Sequence, residues 1–142
     1  MLWKDESAQM TVEFVVVFPI LIIVAVIAGN ALLFFSECAA FDRIARDAIR
    51  IHATSPAYGQ TTEQSLAQIE QTLKTQCDKD YLDTNIVVSG STLGHVTYTV
   101  ELVFSPTLFG RGIRSAVFGV AMPQLHHAVT MTIDTYKPGV LL

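Results

Sequence analysis

The sequence predicts an α+β fold, in which a long N-terminal helix and a second helix pack on a small antiparallel sheet of about three strands. Residues 14–36 form 23 consecutive positions without a charge, which is long enough for a membrane-crossing helix. Apolar side chains then recur at helical spacing in residues 37–52 and again in residues 61–77. Finally, residues 95–104 and 127–136 alternate apolar with polar side chains, as half-buried strands do.

The first predicted helix extends from about Met10 to His52, roughly 65 Å at the standard rise. Asn30 is the only strongly polar residue in its apolar half. The other half is amphipathic, and its apolar positions are Phe41, Ile44, Ala45, Ala48 and Ile49. We therefore expect three parts, a short polar tail at residues 1–8, a transmembrane helix at 9–36 and one domain at 37–142.

A single carboxylate, Glu13, lies at the start of the apolar segment. An ionisable group at such a position is costly to desolvate and usually has a partner and a function. The alternative is that Glu13 simply flanks the helix in the lipid headgroup region.

The two cysteines, Cys38 and Cys77, fit no CxxC metal or redox pattern. If a turn at Pro56–Gly59 makes the two helices antiparallel, both sulfurs fall at nearly the same height along them. The spacing therefore favours a disulfide, which needs an oxidising compartment. Two free buried thiols are the alternative.

The second helix places Leu66, Ile69, Leu73 and Cys77 on one stripe, and Thr61 or Thr62 is positioned to cap it. Strands are predicted at residues 85–89, 95–104 and 127–136, with a glycine-containing turn between the first two. Residues 105–124 are apolar and rich in glycine, and no element is predicted there. This stretch either lies on a membrane surface or a partner, or folds back to complete the core.

Composition argues against several functions. The net charge is −4, and the basic stripe that nucleic-acid binding requires is missing from the sequence. His126 and His127 are adjacent on a predicted strand, so they point to opposite faces and are poorly placed to share a metal. His95, Glu101 and Asp134 could meet across the strands, but the polar faces of strands often bring such residues together by chance, so we do not assign them a catalytic role. We predict a protein that is not an enzyme and has no cofactor, no metal site, no small-molecule substrate and no nucleic-acid partner.

The N-terminal stretch resembles the TadE-like minor pilins of the tight-adherence pilus. The resemblance rests on Ala8, residues 9–12, the Val-Glu-Phe step ending in Glu13 and Phe14, and Pro19 within the apolar helix. Residues 43–50 are also similar to a basic stretch of that family. The match covers about the first 50 residues, and Ala8 departs from the glycine that is usual there.

The resemblance implies cleavage by prepilin peptidase between Ala8 and Gln9, which makes Glu13 the fifth residue of the mature chain. It also implies a single-pass protein of the cytoplasmic (inner) membrane, in which residues 1–8 are a cytoplasmic leader or tail and the C-terminal domain at 37–142 is extracytoplasmic. The implied partners are other pilins, the inner-membrane pilus assembly platform and the lipid bilayer. The implied role is structural, in pilus assembly for adhesion or secretion.

Physical chemistry suggests how such helices would assemble. Cleavage would expose an α-amine on Gln9, and Glu13 of a neighbouring helix could pair with it and so offset both desolvation costs. Glu13 and Phe14 would then set the registry. Ala25 and Gly29 form a small-xxx-small step of the kind that packs helices in lipid, and Pro19 permits a kink because it removes the hydrogen bond to Val15.

Two rival interpretations remain. The N-terminal segment could be a signal peptide removed before Leu32, leaving an exported binding domain, or it could be a plain single-pass anchor. Arg43, Arg46 and Arg50 follow the apolar segment whereas only Lys4 precedes it, so the positive-inside rule taken alone would leave the domain in the cytoplasm. The pilin orientation is favoured because these arginines alternate with aspartates and the cysteine pair suits an oxidising compartment.

Overall fold

The computed structural model describes residues 3–54, 61–92, 95–108, 111–112 and 122–134. Helix α1 spans Trp3–Ala53 and helix α2 spans Thr62–Gln76. The strands are β1 (Leu82–Thr92), β2 (His95–Phe104), β3 (Thr107–Leu108), β4 (Arg111–Gly112) and β5 (Leu125–Asp134). The predicted α+β fold is confirmed, while the predicted turn at Pro56–Gly59 lies outside the described residues.

Helix α1 is one uninterrupted helix of 51 residues, about 76 Å long at the standard rise. It continues through Pro19, although proline lacks the N–H that would bond to the preceding turn. The helix starts earlier than the predicted Met10 and ends one residue after the predicted His52.

Helix α2 begins with a reciprocal cap. The Thr61 side chain accepts a hydrogen bond from the Gln64 backbone N–H, and the Gln64 side chain accepts one from the Thr61 backbone N–H. These bonds satisfy N–H groups that the first turn of a helix would otherwise leave unpaired. Ile69, Leu73 and Cys77 are buried on the predicted stripe.

The main sheet is antiparallel with strand order β1-β2-β5. Strand β1 is longer than the predicted 85–89, and β5 begins two residues before the predicted 127. The unassigned stretch contains a second, two-stranded sheet, in which Thr107 pairs with Gly112 and Leu108 pairs with Arg111.

The core lies between the two helices and one face of the sheet. The second half of α1 contributes small and large apolar groups in turn, and α2, β2 and β5 cover them. The fully buried side chains of this core include Phe41, Ala45, Ile49, Ile69, Leu73, Val100 and Leu102. The alanines on α1 let the neighbouring elements approach closely, so this half of the helix is the spine of the domain.

The opposite face of the sheet is polar. Thr97 pairs with Thr132 and Thr99 pairs with Thr130 through their hydroxyl oxygens, at 3.0 and 3.3 Å. Apolar and polar side chains alternate along β2 and β5 in the sequence, and the structure places the two kinds on opposite faces of the sheet.

Candidate membrane-spanning and assembly site

The candidate site is the first half of α1, whose residues 10–29 are not buried by the part of the protein that the structure describes. An 18-residue window of this helix has a mean hydropathy of 2.8, and none of the window is buried. Large apolar side chains are exposed on all sides of the helix over residues 10–27, with Met10 at 75% and Phe14 at 63%. A helix on the surface of a globular protein is usually apolar on one stripe only, which does not describe this segment. Its length and its apolar composition are sufficient to cross a membrane.

The residues predicted to be processed or to assemble all lie along this helix. Ala8 and Gln9 belong to its backbone, so the predicted cleavage site falls within α1. Glu13 is exposed on the helix surface. The Phe14 ring stacks on the Phe18 ring one turn later, with ring centroids 5.5 Å apart.

The predicted small-residue step is also exposed. Ala25 and Gly29 are on the surface, and a Cβ added at Gly29 would meet nothing within 4 Å. The fold of this chain therefore does not require a glycine at position 29, and the step is open to another helix.

Asn30 marks the end of the uncovered segment, and its role was not predicted. It is only 5% exposed. Its amide nitrogen donates to the Thr107 carbonyl at 2.8 Å, and its side-chain oxygen accepts from the Thr107 N–H at 2.6 Å. The amide nitrogen also donates to the Val26 carbonyl at 2.9 Å, one turn earlier. Asn30 thus replaces the partner strand that Thr107 would otherwise need on this side.

The ring of Phe34, one turn beyond Asn30, extends this contact. Its centroid lies 5.7 Å from that of Phe104 on β2, and Tyr81 contacts Phe104 from another side at the same centroid distance. The domain therefore contacts α1 from Asn30 onward, which includes residues 30–36 of the predicted transmembrane segment.

An ionic cluster at Glu37 joins α1 to the start of the sheet. Lys79 Nζ lies 2.5 Å from Glu37 Oε1, and the Tyr81 hydroxyl donates to the same oxygen at 3.1 Å. The hydrogen bond to Glu37 raises the pKa of Lys79 above its usual value, although partial burial opposes that rise. Burial, followed by the bond to Glu37, raises the pKa of Tyr81.

A second polar contact joins α1 to β5. His127 Nε2 lies 2.7 Å from Asp42 Oδ1, and the His127 ring meets the Phe41 ring edge-on. On the other face of the sheet, His126 Nδ1 lies 2.8 Å from Glu101 Oε1. The adjacent histidines therefore point to opposite faces, which confirms the geometry predicted from their spacing.

The residues considered for catalysis or metal binding do not form one site. His95 pairs directly with Asp134, whereas Glu101 pairs with Ala128 farther along the strand. Within the part of the chain that the structure describes, no group of three or more His, Cys, Asp or Glu side chains is placed to hold a metal ion. Within the same part, every buried side-chain polar atom has a hydrogen-bond partner.

Cys38 and Cys77 are both free thiols in the structure, which is the alternative that their spacing left open. Cys77 belongs to the core cluster, and Cys38 packs against it. Burial raises the pKa of both thiols; Asp42 and Glu37 raise that of Cys38 further, and Glu37 that of Cys77. A raised pKa disfavours the thiolate, which argues against a nucleophilic cysteine here.

The disulfide remains a prediction with a direct chemical test. If the domain matures in an oxidising compartment, we expect Cys38 and Cys77 to bond and to stabilise the fold by about 4 kcal/mol through loop closure. Protein alkylated under denaturing conditions should then migrate differently on reducing and non-reducing gels. The Cys38→Ser variant should show no such difference, and a wild-type protein that behaves like this control would exclude the bond.

Comparison with protein-family models, with curated proteins and with solved structures found no match to this chain.

Proposed function

We propose that this protein is a membrane-anchored minor pilin or pseudopilin, similar to the TadE-like subunits of tight-adherence pili. In this role it is a structural subunit that initiates, caps or helps to assemble a filament. The observation that carries the proposal is the division of α1 into two halves. Residues 10–29 are mainly apolar and none of them is buried, whereas the part of α1 after Glu37 forms the buried spine of the domain.

This division supports lateral assembly through the helix. An uncovered apolar helix is stable in lipid or against other helices, but not in water. A subunit built in this way is able to stay in the bilayer before assembly and to exchange lipid for neighbouring helices afterwards. The domain does not have to unfold for this exchange, because its described residues contact α1 from Asn30 onward.

The proposed partners follow from the same half of the helix. Other pilin helices pack along the exposed step at Ala25 and Gly29, and prepilin peptidase cleaves between Ala8 and Gln9. The inner-membrane assembly platform receives the processed subunit. The C-terminal domain lies outside the cytoplasm, where the cysteine pair is able to oxidise.

The mature N-terminus distinguishes this function from its two alternatives. We expect the N-terminal sequence of the protein purified from membranes to begin at Gln9, because the proposed peptidase cut lies between Ala8 and Gln9. The whole apolar helix then remains attached to the domain. A start near Leu32 would indicate a signal peptide and an exported domain, and a start at Met1 would indicate a plain anchor. Either of these results would contradict the pilin proposal.

A matched variant makes this test specific. Ala8→Gly restores the residue that is usual before the cut in the family, so its processing should be at least as complete as that of the wild type. Ala8→Leu places a bulky side chain at the same position and should block cleavage. If both variants and the wild type keep Met1 in cells that contain the peptidase, the chain is not a substrate.

A further inference from the structure

The short sheet formed by β3 and β4 lies beside α1 at a level where the helix surface is still apolar. Thr107 is held by Asn30, and both residues are only 5% exposed. On its remaining sides, α1 exposes Leu32 at 72% and Phe35 at 66%. The apolar surface therefore continues past Asn30 to Phe35, about 8 Å farther along the helix axis.

A bilayer that covers α1 up to Phe35 would also reach the level of β3. The exposed segment from Met10 to Asn30 is about 30 Å long, which matches the hydrocarbon thickness of a bilayer. The last turns to Ser36 then occupy the boundary between acyl chains and headgroups. Because the Asn30–Thr107 bonds place β3 at Asn30, the strand lies at this same boundary.

The hydrogen bonding of the short sheet suits a place with little water. The Thr107 N–H and C=O are both satisfied by the side chain of Asn30, and the backbones of β3 and β4 pair with each other. Backbone groups that enter the apolar part of a bilayer must be satisfied within the protein. An ordinary surface loop has no such requirement, since water satisfies its backbone.

We propose that β3 and β4 form a second membrane contact, which enters the headgroup–acyl boundary of the leaflet that α1 crosses on the domain side. The ligand is the lipid of that leaflet. Leu108 of β3 is a half-buried apolar residue, and its backbone pairs with that of Arg111 in β4. This inference rests on the proposed insertion of α1, and it gives the domain a fixed height and orientation on the bilayer.

Depth-dependent fluorescence quenching tests the contact. Trp3 is the only tryptophan, so Trp3→Phe gives a background in which one new tryptophan reports on one position of the full-length protein. The reporter is Leu108→Trp, with Leu21→Trp in the exposed half of α1 and Val87→Trp on the exposed side of β1 as controls. Each protein is placed in vesicles of phosphatidylethanolamine and phosphatidylglycerol that carry spin labels at the headgroup, the upper chain or the chain end.

We expect Leu108→Trp to lose emission chiefly to the headgroup and upper-chain labels. Leu21→Trp should be quenched chiefly by the chain-end label, and Val87→Trp by none. If Leu21→Trp is quenched and Leu108→Trp behaves like Val87→Trp, the second contact is excluded and the anchor stands. If neither position is quenched, the anchor and the second contact both fail.

A measurement on the unaltered sequence covers the case in which Leu108→Trp misfolds. A phospholipid with a photoreactive group in its upper chain should crosslink to the peptide that contains residues 105–112 of the wild-type protein. The peptide that contains Val87 provides the matched negative control. Crosslinking confined to peptides of α1 would overturn the proposal.

Discussion

Replacing Asn30 with leucine should release Thr107 from α1 and destabilise the domain by about 2–6 kcal/mol. Leucine has the same branching pattern and number of side-chain heavy atoms as asparagine but offers neither hydrogen bond, so the Thr107 N–H and C=O would both lose their partner. Each unsatisfied buried group costs about 1–3 kcal/mol. The measurement is urea unfolding of the detergent-solubilised protein, together with hydrogen exchange of the peptide that contains residues 105–108.

Two matched variants isolate the cause of this effect. Gly29→Ala changes the neighbouring residue where a Cβ meets nothing, so it should leave stability unchanged or raise it by up to about 1 kcal/mol. Thr107→Val removes a hydroxyl whose contact with Asn30 is long, at 3.5 Å, and it should cost less than Asn30→Leu. Wild-type stability and exchange in Asn30→Leu would show that the bonds to Thr107 do not hold the segment in place.

Replacing Glu13 with alanine should abolish filament assembly while leaving cleavage between Ala8 and Gln9 largely intact. The proposed pairing places the Glu13 carboxylate against the α-amine of a neighbouring mature subunit. Removing one member of a buried ion pair costs about 3–5 kcal/mol, which corresponds to more than a hundredfold weaker contact between subunits. The readouts are the amount of sheared filament and the mass of the N-terminal peptide from the same cells.

Conservative changes at the same position separate charge from shape. Glu13→Gln keeps the size and the hydrogen-bonding oxygen but loses the charge, so it should also fail to assemble. Glu13→Asp keeps the charge on a shorter side chain and should assemble in part. Normal filaments in Glu13→Ala, or equal defects in cleavage and assembly, would argue against the pairing.

The helices and long strands could be predicted because their patterns are local. The uncharged run and the apolar spacing of Phe41, Ala45 and Ile49 indicate a helix whose environment changes along its length. The alternation in β2 and β5 likewise depends only on neighbours in the chain. The burial of Val100 and Leu102 on one face, and the exposure of Thr97 and Thr99 toward the other, follow directly from that period.

The contact between Asn30 and Thr107 could not be predicted in the same way. The two residues are 77 positions apart, and the stretch that contains Thr107 has no period that indicates its partner. A lone asparagine in an apolar run was visible as an exception. An isolated polar residue in an apolar run does not indicate its own partner, which only the tertiary fold identifies.

The links from α1 to the sheet were also beyond the sequence patterns. Asp42 faces His127, and Glu37 receives both Lys79 and Tyr81. No sequence pattern assigns Glu37, Lys79 or Tyr81 to a contact, and helical or strand periodicity does not identify which side chains meet between elements. Side chains at the margin of a core face are the ones for which periodicity is least informative.

The unbroken course of α1 has a mechanical consequence. Membrane-crossing helices tilt by about 20° on average. From Asn30, where the domain first contacts α1, the helix continues for about 35 Å to its end at Ala53. A rigid rod of that length converts such a tilt into a sideways sweep of about 12 Å at its far end. The proposed lipid contact of β3 and β4 would hold this tilt constant, so the far end of α1 would keep one sideways offset from the membrane anchor.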